Sequence, residues 1–456
     1  MTIEEVLIAA RDTKALMIGN GILNRAPELF REQFPNKKAI IVADNNTWRV
    51  AGKELAELLR NAKIAQEDAF IFTDSELYAE YGYVDELLGR LKNTDAVPIA
   101  VGSGTINDLV KLSAHLTGRQ YLCVATAASV DGYTSFGASI TAQGAKKTFD
   151  CPAPQACLAD TDIIGRAPAE MTAAGYADLF AKVTAGADWI LADRLGVEAI
   201  DTKAWNIVQE GLQDALSDPE GVRNGNSAAV GKLIKGLMMS GFAMQYLQSS
   251  RPASGAEHYF SHLWDMEHHQ YKGQHVSHGF QVSIGTIAET ALYEQILNTP
   301  MEKLDVEAAC RAWATQEEWD RRITAIFKDS GFLQRCLDES RAKYVTRKQL
   351  AEQLALLKER WAEIKQAVGE QLVPSETLRE RLQAVGAPTE PEQIGISNER
   401  LRRTFVHAPF IRSRFTVLDL AVRCNYLEKW LNKLFGKGER WDFNEPKSNI
   451  DNSLRI

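Results

Sequence analysis

The sequence has few cysteines, and no two of them stand in the CxxC spacing of a metal or redox site. Its six cysteines are scattered along the chain: Cys123, Cys151, Cys157, Cys310, Cys336 and Cys424. This pattern argues against a disulfide framework or a cysteine-ligated zinc site, and it is typical of a reduced, cytosolic protein.

Long apolar runs are also lacking. No stretch approaches the roughly 20 apolar residues of a membrane span, and the start, MTIEEVLIAARDTKALMIGNG, has early acids and no signal-peptide core. The formal net charge of −8 argues against a dominant nucleic-acid surface, although a local basic patch can still bind a phosphate. We expect a soluble, cytoplasmic protein with a small-molecule substrate and no nucleic-acid partner.

The chain of 456 residues divides into two predicted domains and a tail. Strand-like and helical patterns alternate in residues 1–165, which predicts an α/β domain with a parallel sheet of the Rossmann-like, nucleotide-binding kind. Almost everything in 166–435 is helical, so we predict an all-α second domain. Residues 436–456 lack periodicity and are predicted to form a loose tail. The cleft between the domains is the expected ligand site.

The sequence patterns give approximate bounds for the predicted strands and helices. Strands are predicted at 38–43, 69–72, 97–101 and 121–125, helices at 48–61, 83–92 and 108–112, and long helical runs at 347–368 and 412–435.

Histidine is rare in the chain except between residues 254 and 286, where six of the eight histidines lie. The six are His258, His262, His268, His269, His275 and His278. His258 and His262 are four apart in a helical pattern and share a face, and His278 opens the next apolar run. Two histidines from two helix ends, with a carboxylate from elsewhere, would make an open three-ligand metal site. The alternative is solvated loop histidines, which is favoured for the three between His262 and His278.

Asp178 is the candidate carboxylate. It lies in the small-residue helical stretch 171–182 and has two interpretations. In the first, it forms an i, i+4 pair with Lys182 on a helix surface. In the second, it is the third metal ligand beside His258 and His278.

Two glycine- and hydroxyl-rich loops follow predicted strands. The loop 102–108, GSGTIND, opens a helix, and its free N–H groups suit a phosphate unless it is only a tight turn. The loop 126–135, TAASVDGYTS, places hydroxyls around Asp131 and suits a ribose, a diphosphate or a substrate hydroxyl unless it is a polar turn. Asp44, at a strand end, either binds a cofactor ribose, which favours NAD, or caps a turn.

Several of these stretches together resemble one family. They are GSGTIND (102–108), TAASVDGYTS (126–135), ADTDII (159–164), TAAGYADLFAK (172–182), SGAEHYFSH (254–262) and SHGFQVSIGT (277–286). In order and spacing they are similar to the dehydroquinate synthase-like and iron-containing alcohol dehydrogenase superfamily, and within it to the sn-glycerol-1-phosphate dehydrogenases. The resemblance implies a dehydroquinate synthase-like fold, with the active site in the cleft between the α/β and all-α domains.

The resemblance also implies roles for residues. Asp178, His258 and His278 would hold one divalent metal (Zn, Ni or Fe), with His275 as the alternative second histidine. His262 and Asp131 would be catalytic and contact substrate, as would Asp178. With the loop arguments above, the predicted contacts to NAD(H) or NADP(H) are Asp44, Gly102, Ser103, Gly104, Thr105, Asp108, Thr126, Ser129 and Ser135.

The implied activity is metal-dependent, NAD(P)H-linked reduction of dihydroxyacetone phosphate to sn-glycerol 1-phosphate by a homodimer. The alternatives are a polyol or glycerol dehydrogenase acting on an unphosphorylated substrate, a dehydroquinate synthase-like cyclase, and a nucleotide-binding sensor. A cationic pocket would favour the phosphate ester. Lys146 is the predicted substrate-binding cation, although solvated turn lysines are the alternative for Lys146 and Lys147. Arg412 and Arg414 are further candidates.

Overall fold

A computed structural model describes residues 1–142 and 145–442 of the chain. The first part of the chain carries the strands β1 (Ala15–Gly19), β2 (Ala39–Asp44), β3 (Phe70–Phe72), β4 (Val97–Gly102), β5 (Leu122–Ala125), β6 (Ala138–Ala142), β7 (Ala145–Phe149) and β8 (Ala156–Asp160). Its helices are α1 (Ile3–Ala9), α2 (Ala26–Gln33), α3 (Asn45–Thr47), α4 (Lys53–Asn61), α5 (Tyr81–Leu91), α6 (Gly104–Leu116) and α7 (Thr161–Ile164).

Six of these strands form one parallel sheet in the order β1-β8-β5-β4-β2-β3. Apolar residues on both faces of the strands explain why helices cover the sheet on both sides. Ile41 packs in the layer that contains Phe30 of α2 and Leu55 of α4. Ile40, one position earlier, points into the opposite layer with Leu87 of α5. The predicted α/β domain is confirmed.

The strands β6 and β7 form a separate antiparallel hairpin, which sequence reasoning did not predict. The edge strand β1 was also missed, because all five of its residues are only half-buried and its apolar pattern is short. The predicted helix 48–61 is interrupted, since a π-helical turn at Trp48–Gly52 precedes α4.

The second part of the chain is helical from Ala169 onward, apart from a two-stranded hairpin and short 3-10 turns. In chain order its elements are α8 (Ala169–Arg194), α9 (Thr202–Gln209), α10 (Leu212–Ala215), α11 (Pro219–Arg223), α12 (Ser227–Leu247), α13 (Ala256–Met266), β9 (Gln270–Tyr271), β10 (Gln274–His275), α14 (His278–Leu297), α15 (Val306–Ala312), α16 (Gln316–Phe327), α17 (Leu333–Ala342), α18 (Arg347–Glu359), α19 (Trp361–Gln371), α20 (Ser375–Val385), α21 (Asn398–His407), α22 (Val417–Arg423) and α23 (Leu427–Phe435).

Three of these helices form the centre of the helical part. The residues of α8 are buried almost continuously from Thr172 to Ala192, and the first three-quarters of α14 is buried as well. Helix α13 packs against both. A helix that is apolar or small on all sides must be surrounded by other elements, so the site residues on these three helices lie inside the molecule.

Two predicted helical runs needed correction. The run 347–368 is two helices, because the chain turns at Arg360 between α18 and α19. The run 412–435 contains only α22 and α23, separated by Asn425, which has a positive φ of 57°.

The predicted loose tail is wrong for its first residues. Trp441 is buried against Phe405 and Phe435, and its backbone N–H donates to the carbonyl of Leu434. The rest of that predicted tail, 443–456, lies outside the described residues. Within the described ranges, no helix is long and apolar enough to cross a membrane.

The N-terminal segment docks on the helical part rather than on the sheet alone. Val6 of α1 packs with Phe242 of α12. The side-chain carbonyl of Gln245 accepts hydrogen bonds from the backbone N–H groups of Asp12 and Thr13 at 2.9 and 3.2 Å. The chain therefore crosses between its two parts more than once.

Candidate functional site

Three central helices bring a carboxylate and two imidazoles together. Asp178 of α8, His258 of α13 and His278 of α14 each present one ligand-type atom, and these atoms all lie within 4.8 Å of one another. Asp178 is fully buried and His258 is 6% exposed. This is the trio that the sequence predicted as metal ligands.

Glycines allow the helices to approach closely enough for this meeting. A Cβ at Gly279, next to His278, would lie 2.0 Å from the carbonyl oxygen of Ala174 on α8. A Cβ at Gly285 would lie 2.3 Å from the carbonyl oxygen of Glu257 on α13. Any side chain at these positions would push α14 away from both neighbours. The glycines therefore set the distance between His278 and the other two residues.

The predicted pair of Asp178 with Lys182 is present, but it is buried rather than on a helix surface, and Asp178 also lies beside His258. Its Oδ1 is 2.9 Å from Lys182 Nζ and 3.6 Å from His258 Nε2, and its Oδ2 accepts a hydrogen bond from the Asp131 backbone N–H at 3.0 Å. Burial opposes ionisation of Asp178, but Lys182 and the two histidines outweigh burial and hold its pKa far below the usual value. Asp178 is therefore an ionised, fully buried carboxylate.

The outer ring nitrogens of both histidines are already engaged. His258 Nδ1 lies 2.6 Å from Glu257 Oε1, and His278 Nδ1 lies 3.1 Å from Ser261 Oγ. Metal-binding histidines commonly use one nitrogen in this way and offer the other to the metal. The donor set of one carboxylate and two Nε2 atoms fits a divalent cation such as Zn²⁺, Ni²⁺ or Fe²⁺.

The environment of the histidines favours neutral rings at two positions. Burial, opposed in part by Asp178, lowers the pKa of His278 to about 4. Burial together with Arg412 lowers the pKa of His262 well below its usual value. For His258, burial is outweighed by hydrogen bonds to Asp178 and Glu257, so its pKa is raised.

Asp131 reaches this site from the loop after β5. Its Oδ2 is 2.9 Å from Lys182 Nζ and accepts a hydrogen bond from Ser240 Oγ at 2.9 Å. Burial and the nearby Asp178 raise its pKa above the usual value. The loop fits against α8 because Gly175 is there: a Cβ at Gly175 would lie 1.9 Å from the carbonyl oxygen of Ala128.

The predicted cofactor residues follow three neighbouring strands. Asp44 ends β2, the loop 102–108 follows β4, and the loop 126–135 follows β5. In parallel sheets, ligands bind outside the carboxyl ends of the strands. Ser103 begins α6 without a side-chain hydrogen bond to the first turn, so the helix start presents N–H groups of the kind that bind phosphate.

Some of these residues also have structural contacts. A Cβ at Gly102 would lie 2.5 Å from Ile106, and one at Gly104 would lie 3.1 Å from Val130, so close packing alone calls for glycine at Gly102 and favours it at Gly104. Asp44 caps α3 by accepting from two backbone N–H groups. Asp108 accepts from the Ser139 N–H and so ties α6 to β6.

The remaining predicted cofactor contacts lie along the same edge. Thr105 is half-buried in the first turn of α6, whereas Thr126, Ser129 and Ser135 are buried in the loop after β5. Ser135 Oγ donates to the carbonyl of Gly132 and so shapes that loop.

Lys146 lies on β7 and forms an ion pair with Asp265 of α13, at 2.8 Å. Asp265 also accepts a hydrogen bond from Gln281 of α14 at 2.9 Å. The hairpin of β6 and β7 therefore contacts α13, and the same carboxylate links α13 to α14. Lys147, the next residue, is exposed.

The other three histidines lie apart from the trio. His275, the alternative ligand, is exposed on β10 and stacks on Tyr78 with ring centroids 4.8 Å apart. His268 is exposed. The prediction of a solvated position is wrong for His269, which is buried, with Nε2 2.7 Å from the carbonyl of Ile394 and Nδ1 2.8 Å from Arg400.

Sequence reasoning missed several contributors to the site. Lys182 was considered only as a partner of Asp178, yet it also pairs with Asp131. Glu257 was missed because adjacent helical residues do not normally face the same partner. Ser240 and Ser261 carry no distinctive sequence signal, since serine is common in helices and loops alike.

A second group of carboxylates lies behind His258. Ligand-type atoms of Asp188, Glu257 and Glu289 lie within 4.8 Å of one another, and all three residues are fully buried. Asp188 accepts hydrogen bonds from Tyr293 Oη and from two backbone N–H groups. Burial and its two acidic neighbours raise the pKa of Glu289 well above the usual value. These contacts make the group a support for the start of α13.

The chain is similar to known proteins in sequence and in fold. A family model described as iron-containing alcohol dehydrogenase matches residues 17–168. The glycerol-1-phosphate dehydrogenase [NAD(P)+] of Halalkalibacterium halodurans is 33% identical over 71% of this chain and 82% of its own length. That of Geobacillus thermodenitrificans is 30% identical over 86% and 88%. In fold, the chain is similar to glycerol dehydrogenase from Schizosaccharomyces pombe, with a TM-score of 0.57 at 16% identity over 93% of this chain and 92% of that one.

Proposed function

The chain belongs to the family of glycerol-1-phosphate dehydrogenases, and we propose that it catalyses the NAD(P)H-linked reduction of dihydroxyacetone phosphate to sn-glycerol 1-phosphate. The observation that carries this proposal is the meeting of Asp178, His258 and His278 beside the loop that follows β5. A carbonyl reductase of this kind needs a Lewis acid close to the nicotinamide. Asp131, in the predicted cofactor-binding loop after β5, is bonded to Asp178 and so connects this loop to the proposed metal site.

In this proposal, Asp178, His258 and His278 hold one divalent cation, and the loops after β4 and β5 hold the cofactor. When bound, the cation supplies polarisation of the substrate carbonyl and the nicotinamide supplies the hydride. Glu257 and Ser261 fix the ring orientations of the two histidines through their Nδ1 atoms.

Lys182 positions the two acids of the site. By pairing with both Asp131 and Asp178, its ammonium group holds the loop after β5 against α8. Both described partners of the Asp131 side chain, Lys182 and Ser240, bind its Oδ2. Its Oδ1 then accepts a hydrogen bond from a substrate or cofactor hydroxyl and orients that hydroxyl.

His262 lies one turn after His258, with ring centroids 6.1 Å apart. Its lowered pKa favours a neutral imidazole, which offers one N–H donor and one lone pair. We propose that His262 orients a substrate oxygen and passes a proton along that hydrogen bond. It does not hold a proton between steps.

The test is NADH and NADPH oxidation by metal-reconstituted enzyme with dihydroxyacetone phosphate and, separately, with dihydroxyacetone. We expect turnover of the phosphate ester, a product that a chiral assay identifies as sn-glycerol 1-phosphate, and loss of at least about 100-fold in kcat in Asp178→Asn and His258→Ala, as expected when a metal ligand is removed. Metal content measured by mass spectrometry should fall in the same variants.

Asp193→Asn is the matched control for Asp178→Asn, because Asp193 lies on the same helix but pairs with Arg194 near its end. Its activity and metal content should match those of the wild type. Turnover of dihydroxyacetone alone would favour the polyol dehydrogenase. Absence of any turnover by protein with bound metal and cofactor would contradict the proposal and favour the cyclase or the sensor.

The same assay identifies the metal and the preferred cofactor, because the reconstituting metal and the choice of NADH or NADPH are varied in turn. A homodimer and a cytoplasmic location are further proposals that rest on the family resemblance and the cysteine pattern. Light scattering of the purified protein measures the first, and cell fractionation measures the second.

A further inference from the structure

We propose that Lys111 of α6 is a positioning residue for the reduction: its buried ammonium group holds the loop after β5 in the shape that presents Asp131 to the proposed metal site. This inference rests on the proposed function and extends it to a residue that acts through Asp131. Lys111 lies about two turns into α6, the helix that begins within the glycine loop 102–108.

The ammonium group of Lys111 is enclosed by backbone carbonyls. The residue is 1% exposed, and its Nζ donates hydrogen bonds, each 3.0 Å long, to the carbonyl oxygens of Gly132, Ser135 and Gly137. A lysine ammonium has three N–H donors and no acceptor, so these bonds use all of its donors. Oδ1 of Asp108, on the preceding turn of the helix, lies 3.6 Å from Nζ and supplies a nearby negative charge. Lysine is rarely buried to this extent without such partners.

The three carbonyl groups need a donor at this point. Their oxygens all lie within hydrogen-bonding distance of one nitrogen atom, and without that atom they would repel one another and each lose a hydrogen bond. A methionine in place of Lys111 would nearly match the length of the side chain and would remove every donor. We therefore expect residues 132–137 to change conformation when the ammonium group is removed.

Asp131 begins the segment that Lys111 holds. The next residue is Gly132, whose carbonyl is one of the three acceptors. On the other side, the backbone N–H of Asp131 donates to Asp178 at 3.0 Å, and Oδ2 of Asp131 lies 2.9 Å from Lys182 Nζ. Asp131 is therefore fixed from two sides, by α8 towards the proposed metal site and by Lys111 of α6 on the other.

A second side chain of α6 reaches the same carbonyl. Asn107 is four residues before Lys111 and so lies on the same face of the helix, and its Nδ2 is 3.4 Å from the carbonyl oxygen of Gly132. The helix whose start is proposed to bind the cofactor phosphates thus also sets the place of Asp131. Because a misplacement of about 1 Å at a reaction centre can cost roughly 100-fold in rate, a shift of this loop should slow hydride transfer more than it weakens cofactor binding.

The experiment is a double-mutant cycle on metal-reconstituted enzyme, with the wild type, Lys111→Met, Asp131→Asn and the double variant. We expect Lys111→Met to lower kcat with dihydroxyacetone phosphate by about 10- to 100-fold and to leave KM for the cofactor within about threefold of the wild type. Its metal content should be unchanged, because the three proposed ligands are intact. Asp131→Asn should lower kcat to a similar extent. Because Lys111 acts through Asp131, adding Lys111→Met to Asp131→Asn should lower kcat by less than about threefold further.

Leu55→Ala controls for a general loss of stability. Leu55 is fully buried on α4, in the apolar layer on the face of the sheet opposite to α6. Its replacement should lower the Tm and leave kcat within about twofold of the wild type. Lys111→Gln is a milder second variant, because its side chain is one atom shorter, keeps two N–H donors and has no charge. Its kcat should lie between those of the wild type and Lys111→Met, and the same cycle is measured with it if the methionine variant does not fold.

Three results would overturn the proposal: an unchanged kcat in Lys111→Met, a loss of equal size in the wild-type and Asp131→Asn backgrounds, or a comparable loss in Leu55→Ala. If the wild type reduces neither dihydroxyacetone phosphate nor dihydroxyacetone, the proposed function fails. Hydrogen–deuterium exchange of residues 131–137 then tests Lys111 by itself. Faster exchange in Lys111→Met than in Leu55→Ala would show that the ammonium group holds the loop, and equal exchange would overturn this as well.

Discussion

At the scale of single residues, Glu257 links a proposed metal ligand to the buried acidic group. We expect Glu257→Gln to weaken metal binding by about 10- to 100-fold, because the carboxylate that holds His258 Nδ1 is replaced by an amide. Competition with a chromophoric chelator measures the affinity directly. An affinity equal to that of the wild type would show that Glu257 does not orient His258.

Glu289 provides the contrasting substitution in the same group. Its raised pKa means that it holds a proton in the folded state, so glutamine is a close replacement. We expect Glu289→Gln to change the free energy of unfolding by less than about 1 kcal/mol at pH 7. Because glutamine keeps its N–H at every pH, the variant should gain relative stability as the pH rises.

Thermal denaturation of Glu289→Gln and Glu257→Gln at several pH values separates the two residues. Burial alone would raise the pKa of Glu257, but its hydrogen bond to His258 and other contacts lower it to about 2, so glutamine there replaces an ionised group. Equal destabilisation by the two substitutions would contradict the assignment of the proton to Glu289.

Because the pKa of His278 is lowered, we expect the chelator-treated protein to lose stability in acid. Its pKa is about 4 in the folded state, below the usual value of 6.5, so the unfolded chain binds the proton more tightly. Stability is therefore lost as the pH falls from about 6.5 towards 4, and the loss from this residue reaches about 2 kcal/mol at pH 5.

The measurement is the difference in Tm between pH 7 and pH 5 for the chelator-treated wild type and His278→Asn. The difference should be smaller in the variant, which lacks the titrating ring. A larger difference in the variant would mean that His278 is not held neutral by burial.

At the scale of elements, the contact between α8 and α14 depends on Gly279. We expect Gly279→Ala to destabilise the protein by about 1–3 kcal/mol through the clash with the Ala174 carbonyl and to lower metal affinity by moving His278. Chemical denaturation and metal titration measure the two effects separately.

Gly89 is the matched control, because it lies inside α5 and a Cβ there meets nothing within 4 Å. Gly89→Ala should leave metal binding unchanged and stabilise the protein by about 0.5–1 kcal/mol. Similar losses in both alanine variants would show that helix packing at Gly279 tolerates a methyl group.

Elements with a strong local pattern were predictable, and those defined by distant contacts were not. The buried strand β2 and the amphipathic α4 follow from residue periodicity. The hairpin of β6 and β7 did not, because Asp108 and Asp265, from distant parts of the sequence, help to hold it in place. The break at Arg360 interrupts a pattern that reads as one continuous helix.

The candidate site shows the same limit. The trio of Asp178, His258 and His278 was predicted because the resemblance carried all three positions. Lys111 was not singled out from the sequence, since no local pattern tells a buried lysine from a solvated one. That distinction requires the three-dimensional surroundings of each ammonium group.

At the scale of the whole molecule, the contacts that join the α/β part to the helical part include the Lys146–Asp265 ion pair and the stacking of Tyr78 on His275. We expect Lys146→Met to loosen the first contact and to increase hydrogen–deuterium exchange in 138–142, measured by mass spectrometry. Because Lys146 and Asp265 are both partly buried, losing this ion pair destabilises the protein more than losing a surface ion pair does.

Lys147→Met is the control and should leave exchange in the hairpin unchanged. Faster exchange in both variants would indicate that the hairpin responds to its own composition rather than to its contact with α13.

The docking of the N-terminal segment has a consequence for how the protein is made. The strand β1 pairs with β8, and Asp12 and Thr13 bond to Gln245, so this segment is synthesised well before its partners. Until then Val6 and its apolar neighbours stay uncovered on the growing chain, and such segments are the ones that bind chaperones or aggregate. A substitution that weakens this docking would therefore disturb assembly of the helical part, far along the sequence from where the change is made.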